Sequence, residues 1–110
     1  MISVNFKKSD NKRHLSLKVK GHAGQADIGQ DIVCASASIL TYTVAQIVKD
    51  MYAQGLLECE PVIKLDNGNA TIICRCKTAE AYYEAFKAFD VAQVGYTLLA
   101  HNYPQFVEMK

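Results

Sequence analysis

A turn signal in the second half of the chain gives the clearest indication of local structure. Asn67 and Gly68 separate two short apolar segments, residues 62–65 and 70–76. An Asn-Gly pair between two such segments is typical of a two-residue β-hairpin, because both residues readily adopt positive φ. The sequence therefore predicts two paired strands in this half of the chain.

The N-terminal part of the chain shows strand periodicity as well. Apolar and polar residues alternate over residues 2–6 and again over residues 15–19, with Asp10 and Asn11 between the two segments. A period of two residues is typical of a strand with one buried face. These segments are predicted to form a second hairpin.

Each predicted hairpin precedes a long helical segment. Residues 32–54 have apolar side chains at helical spacing, with Asp31 predicted as the N-cap and Gly55 after the C-terminus. Because the apolar residues cover more than one side, we expect this helix to be largely buried. A second helix is predicted from its N-cap, Thr78, to about residue 102.

The order ββαββα predicts an α+β fold: a two-layer domain with a mainly antiparallel four-stranded sheet covered by two helices. Residues 105–109 can form a short edge strand. The 110 residues fit a single domain spanning residues 1–110. The net charge of +1 gives no indication of nucleic-acid binding, so no direct nucleic-acid partner is expected. There is no secretory pattern, and no run approaches the ~18 apolar residues of a membrane span, so we expect a cytoplasmic protein without a membrane partner.

Four cysteines are expected to be reduced thiols, since a disulfide framework is typical of secreted chains. Cys74 and Cys76 share one face of a predicted strand with Ile72, which favours a packing role. Their spacing does not match the usual zinc patterns. We interpret these two and Cys59 as core thiols, and no metal or other cofactor is expected.

Cys34 and His22 are the candidate catalytic pair. Cys34 lies about three positions inside the predicted helix, where unpaired N–H groups and the helix dipole favour a thiolate. A cysteine beside a histidine is the minimal nucleophile and base for acyl transfer, although a small buried cysteine remains the alternative. His14 is interpreted as a solvated strand residue, and His101 as a favourable charge at a helix C-terminus.

The segment between the candidate base and nucleophile is predicted to be a mobile loop that closes over substrate. Its backbone freedom comes from three glycines, Gly21, Gly24 and Gly29. Asp31 has a second possible role, the orientation of His22. Ser38 lies one helical turn after Cys34 and either contacts the site or packs against a strand.

Two strings of residues in this region form a recognisable pattern. They are Gly21-His22-Ala23 and, after a short interval, Gly29-Gln30-Asp31-Ile32-Val33-Cys34-Ala35, with Ser38 beyond. The pattern resembles the signature of the ribosomal-processing cysteine protease family called Prp. The resemblance implies a homodimeric endopeptidase that removes the N-terminal extension of a precursor, large-subunit ribosomal protein twenty-seven. It also implies that His22 and Cys34 are the catalytic dyad, and that Asp31 and Ser38 occupy supporting motif positions.

Two other classes of function remain open at this point. A non-enzymatic ribosome-assembly factor would bind a phosphate or a protein tail at the helix start, whereas a thiol redox protein would need a Cys-x-x-Cys pair that the chain lacks. If the chain is a homodimer, we expect large apolar residues of the second helix, together with the sheet, to form the contact. These residues are Tyr82, Tyr83, Phe86, Phe89 and Tyr96.

Overall fold

The computed structural model describes residues 1–22 and 28–110, without the side chains of residues 28–31. The elements in chain order are β1 (Ile2–Ser9), β2 (His14–Lys20), α1 (Ile28–Ala53), β3 (Val62–Asp66), β4 (Asn69–Arg75), α2 (Ala79–Asn102) and β5 (Val107–Met109). The predicted α+β class and the ββαββα order are confirmed. Strand β5 follows them as a seventh element, so the full order is ββαββαβ.

The sheet has five strands in the order β3-β4-β2-β1-β5. Neighbouring strands are antiparallel except at one edge, where β5 runs parallel to β1. The predicted four-stranded sheet gains a fifth strand, β5, within the segment 105–109 that was named as a short edge strand. Strand β5 is only three residues long, and its Val107 pairs with Ile2 at the other end of the chain. A pairing between residues so far apart in the sequence leaves little local sequence pattern from which the strand could be predicted.

The hydrophobic core lies between one face of the sheet and the two helices. Leu17 pairs with Phe6 on one side and with Ile72 on the other, so these side chains share a face. Leu17 and Ile72 are fully buried. The helices also pack closely on each other, because a Cβ on Gly95 would lie 2.8 Å from Leu40 Cδ2.

Helix α1 begins at Ile28, so the predicted start after Asp31 is wrong. Asp31 is an internal residue of the first turn and not the N-cap, and Gly29 lies in the helix and not in the loop. A cap contributes only ~1 kcal/mol, which makes it a weak guide where the helix can extend further. The C-terminus is confirmed: Gly55 has φ +76°, and Leu56 N–H donates to Met51 O at 3.0 Å, as in a Schellman motif.

Only one face of α1 is buried, so the expectation of a largely buried helix is wrong. Val44 and Val48 lie in the core, whereas Ile39 is 62% exposed and Tyr42 is 53% exposed. The stretch Ile32–Ala53 is long and apolar enough to cross a membrane by length and composition. Length and composition alone are weak evidence for a membrane span, because the core helix of a two-layer domain has the same properties.

Helix α2 follows its prediction closely. Thr78 is the N-cap, and its Oγ1 accepts a hydrogen bond from Ala81 N–H at 3.1 Å. Phe89 and Tyr96 are buried in the core of this same chain. These two residues therefore cannot make the dimer contact that the sequence suggested for them.

The cysteines fall into two groups. Cys74 and Cys76 are buried, as predicted for packing thiols, whereas Cys59 is exposed and its interpretation as a core thiol is wrong. Cys59 lies in the connection between α1 and β3, where no strand alternation fixes its direction.

Candidate active site

A cleft of about 140 Å³ lies at one end of the sheet, beside the N-terminal half of α1. Three parts of the chain supply its main polar groups: the end of β2 with His22, helix α1 with Cys34 and Ser38, and the turn between β3 and β4 with Asn67. The β2–β4 ladder brings the turn to the end of β2, since Lys20 pairs with Asn69. The cleft is therefore a product of long-range pairing.

Two hydrogen bonds hold the backbone at His22. Gly21 N–H donates to Gly68 O at 2.9 Å, and the backbone nitrogen of Met1 donates to His22 O at 2.6 Å. Gly21 has φ +99°, and a Cβ there would lie 2.2 Å from Met1 O. Only glycine tolerates both this positive φ and this close approach of Met1 O, which explains why the sequence motif has glycine at position 21.

The imidazole of His22 lies directly against Gly68. A Cβ on Gly68 would be 2.3 Å from Nε2 and 2.7 Å from Cε1 of that ring. Gly68 also has φ +76°, which disfavours other residues. The Asn-Gly pair was identified in the sequence as a turn, but its contact with the histidine was not foreseen.

Cys34 lies in the second turn of α1, partly buried, and lines the same cleft as His22. The structure thus brings together the two residues of the predicted dyad from different layers of the fold. The argument that the helix start stabilises the thiolate does not hold, because the helix starts at Ile28 and the effect of its dipole falls off within the first turn. Any group that activates the Cys34 thiol must therefore be another residue of the cleft.

The other predicted site residues have different outcomes. Ser38 is exposed and lines the cleft, so it belongs to the site. Gly24 and the side chain of Asp31 lie outside the part of the chain that the structure describes. Loop closure and the orientation of His22 by Asp31 therefore stay predictions. His101 is exposed in the last turn of α2, as the sequence suggested.

Several residues of the cleft were missed by the sequence analysis. Asp66 and Asn67 come from the β3–β4 hairpin, and Thr41 and Tyr42 come from α1. Asp66 is the last residue of β3 and Asn67 begins the turn, and both line the cleft that contains His22. Nothing local in the sequence marks them, since only the pairing of β4 with β2 places the turn here.

A buried polar cluster lies beneath the cleft. Thr41 Oγ1 is 2.8 Å and Tyr96 OH is 3.0 Å from the carbonyl oxygen of Ala37, and the two hydroxyls also contact each other. Burial raises the pKa of Tyr96 to about 12, although the hydrogen bond with Thr41 opposes this shift. The phenol therefore stays neutral, and the cluster joins α2 to α1 one or two turns after Cys34.

The remaining buried cysteines lie away from the cleft. Cys74 and Cys76 hydrogen-bond each other, which raises the pKa of Cys74 and lowers that of Cys76, but neither lines the cleft. Within residues 1–22 and 28–110, no group of three His, Cys, Asp or Glu side chains has the arrangement needed to hold a metal ion. The chemistry that the described residues support at this site is that of a cysteine beside a histidine.

Comparisons with known proteins show which chains this one resembles. The family model described as cysteine protease Prp matches residues 1–108. The SMU.848 protein of Streptococcus mutans is 28% identical, with a TM-score of 0.70 over 100% of this chain and 92% of that chain. No curated protein matches the chain.

Two structures of the essential ribosomal processing protease Prp from S. aureus are also similar. The structure with a covalently linked product peptide is 25% identical, with a TM-score of 0.70 over 100% of this chain and 98% of that chain. The structure with a substrate peptide covers the same shares at 21% identity and a TM-score of 0.69, and it supports the fold alone. Because the family model spans nearly the whole chain, and because the cleft contains the cysteine and histidine that such chemistry needs, the chain belongs to the cysteine protease Prp family.

Proposed function

We propose that this enzyme removes the N-terminal extension of large-subunit ribosomal protein twenty-seven, with Cys34 as nucleophile and His22 as general acid and base. The observation that carries the proposal is that both side chains line one cleft although they come from opposite layers of the fold. The S. aureus enzyme with its covalently linked product peptide supports a covalent route. Ribosomal proteins are made and assembled in the cytoplasm, which we propose as the place of action.

The proposed reaction proceeds in two steps. Cys34 Sγ, its proton transferred to His22, attacks the carbonyl carbon of the scissile peptide bond, and the imidazolium then protonates the departing amine. The result is a thioester and a free amine. A water molecule, deprotonated by His22, attacks the thioester and restores the thiol as the acid product leaves. These steps need no cofactor.

The oxyanion of each tetrahedral intermediate needs hydrogen-bond donors. The unpaired N–H groups of α1 belong to its first turn, before Cys34, because the helix begins at Ile28. Asn67 lines the cleft and precedes Gly68, the residue that contacts His22. We therefore assign a donor role to Asn67, since a neutral amide is a common oxyanion ligand.

Mass spectrometry of the precursor ribosomal protein, incubated with and without the enzyme, tests the proposal. The wild-type enzyme should cut one bond near the precursor N-terminus, and Cys34→Ser should cut none, because a serine hydroxyl stays protonated where a thiol ionises. Cys59→Ser is the matched control, since Cys59 is exposed and lies outside the cleft. A non-enzymatic assembly factor would leave the precursor intact, and wild-type turnover by Cys34→Ser would refute the nucleophile.

We also propose that the enzyme is a homodimer, with a contact that differs from the one suggested by sequence. Ile39 of α1 and Val91 and Leu98 of α2 are 62%, 71% and 57% exposed, and they flank grooves between the two helices near Leu40. Large apolar side chains gathered in this way are typical of an interface.

Sedimentation at micromolar concentration tests this contact. Val91→Glu with Leu98→Glu should convert a dimer to a monomer, because burying two carboxylates without partners costs several kcal/mol. Tyr52→Glu is the control, because Tyr52 is 46% exposed near the end of α1 and lines neither groove. A monomeric wild-type protein would refute the proposal.

A further inference from the structure

The face of the sheet turned away from the helices has a distinct chemical character. In β2, Leu15, Leu17 and Val19 face the core, so Lys18 and Lys20 point to the opposite side. The same alternation holds in β1, β3 and β4. We call the side chains of these four strands that point away from the helices the outer sheet face.

The strand register gathers basic residues on this face. Lys18 pairs with Thr71, and Thr71 pairs in turn with Lys64, so the two lysines lie two strands apart, or about 10 Å. Lys18 and Lys20 are two residues apart on one strand, or about 7 Å. The basic residues of the outer sheet face, all exposed, are Lys7, Lys18, Lys20, Lys64 and Arg75.

Little acidic charge balances these residues. Among the strand residues, the acids on this face are Asp66, in β3 at one edge, and Glu108, which lies at the other edge in β5 and accepts a hydrogen bond from Ser3. Outside the strands, Glu58 lines a pocket with Arg75. Throughout the part of the chain that the structure describes, the only ion pair joins Lys110 to Glu108 at 3.7 Å. The cations of the outer sheet face are therefore available to an external anion.

Part of the compensating charge lies on the other layer, where the acids outnumber the lysines Lys49 and Lys87. The exposed acids of the helices are Asp50, Glu80, Glu84 and Asp90. The net charge of +1 thus conceals a separation between a basic sheet and acidic helices. The expectation that no nucleic acid binds directly depended on this net value, so it does not apply to the outer sheet face.

We propose that the outer sheet face binds the phosphate backbone of a structured RNA. Charge complementarity favours a polyanion, and the absence of Phe, Tyr and Trp from this face of β1–β4 removes the platform for base stacking that single strands use. The large apolar residues of a membrane-inserting surface are also missing, since Val62 and Ile73 are the only apolar side chains among those strands' outward positions.

The proposal has a geometric consequence for the enzyme. The cleft opens beside α1 at the end of the sheet, and neither Lys18 nor Lys64 lines it, so RNA held by these two lysines would leave it open. This inference rests on the proposed function, because only a substrate that itself binds RNA would be brought close to the enzyme in this way. RNA binding would then raise the local concentration of the substrate around the enzyme, whereas the cleft alone would bind the peptide that is cut.

Binding of a labelled RNA hairpin, followed by fluorescence anisotropy over a range of salt concentrations, tests the proposal. Affinity should fall steeply with salt, and Lys18→Gln with Lys64→Gln should reduce the slope of log K against log salt by about two. Roughly 10²-fold weaker binding near 0.1 M salt is expected for this double variant, because a slope change of about two corresponds to about two decades between 1 M and 0.1 M salt. Lys49→Gln with Lys87→Gln, on the helices, changes the net charge equally and should leave the slope unchanged.

Three outcomes would overturn the proposal: no binding by the wild type, equal losses in the two double variants, or tighter face-dependent binding to vesicles of anionic lipid than to RNA. Cleavage of a free peptide should be the same in the wild type and in Lys18→Gln with Lys64→Gln. That measurement separates the proposed protease function from the proposed RNA binding. If the wild type does not cleave the peptide, the protease function is refuted, whereas the RNA-binding measurement is unaffected.

Discussion

The contact between His22 and Gly68 leads to a test that depends on a single methyl group. In Gly68→Ala the new Cβ would lie 2.3 Å from His22 Nε2, so the ring must retreat by about 1 Å to reach ordinary contact. Displacement of a catalytic group by that distance can cost ~10²-fold in rate. The positive φ of residue 68 adds a backbone cost of roughly 1–2 kcal/mol to the folded state.

A matched variant separates these two effects. Gly55 has the same φ, +76°, but a Cβ there would have no atom within 4 Å. Gly55→Ala and Gly68→Ala should therefore lose similar thermal stability, about 4–8 °C in Tm for each kcal/mol. Cleavage of a peptide substrate, measured well below both melting temperatures, should fall ~10²-fold in Gly68→Ala alone. Rates within threefold of each other would refute the idea that Gly68 positions the imidazole.

Further predictions concern the dyad, the turn and the core. His22→Ala should lower the cleavage rate by ~10²–10⁴-fold with an unchanged circular dichroism spectrum; a loss below tenfold would assign the base elsewhere. Asn67→Ala should lower kcat by ~10²–10³-fold with little change in KM, and an equal effect on KM would contradict an oxyanion role. Cys74→Val or Cys76→Val should leave activity within a few fold, since both thiols lie away from the cleft; loss of activity in a folded variant would point to a role in catalysis. The pKa of Tyr96 in the folded protein is about 12, above its usual value near 10. The free energy of unfolding should therefore be unaffected by this group below pH 10 and should fall by about 2–3 kcal/mol between pH 10 and 12. Chemical denaturation at pH 9 and pH 11.5 should show a smaller alkaline loss in Tyr96→Phe than in the wild type.

Local signals predicted the elements that local interactions determine. The alternation in β1 and β2, the turn at Asn67 and the Thr78 cap were all read correctly, because each depends on residues close in the sequence. The start of α1 was not predicted correctly, because Asp31 is a good cap residue in isolation but also fits an internal helical position. Tertiary context decides between such alternatives.

The candidate site shows a similar division. The sequence motif identified His22 and Cys34, and the structure places both in one cleft. The contribution of the β3–β4 turn to that cleft depends on the pairing of β4 with β2, across about fifty residues of chain. Exposure of Ile39 was also missed, because helical periodicity shows which side chains are apolar and not which of them find a partner within the chain.

Because the proposed nucleophile and the proposed base lie on different layers, the distance between them depends on how the whole core is packed. Cys34 moves with α1, whereas His22 is attached to the end of β2 and to the turn at Gly68. Any change that slides or rotates the helix over the sheet therefore alters the distance between sulfur and imidazole without touching either residue. The cluster of Thr41, Tyr96 and Ala37 limits that rotation. Peptide cleavage should accordingly decline under mild denaturing conditions before the helices and strands themselves melt, so enzymatic rate becomes a sensitive measure of how tightly the two layers are packed.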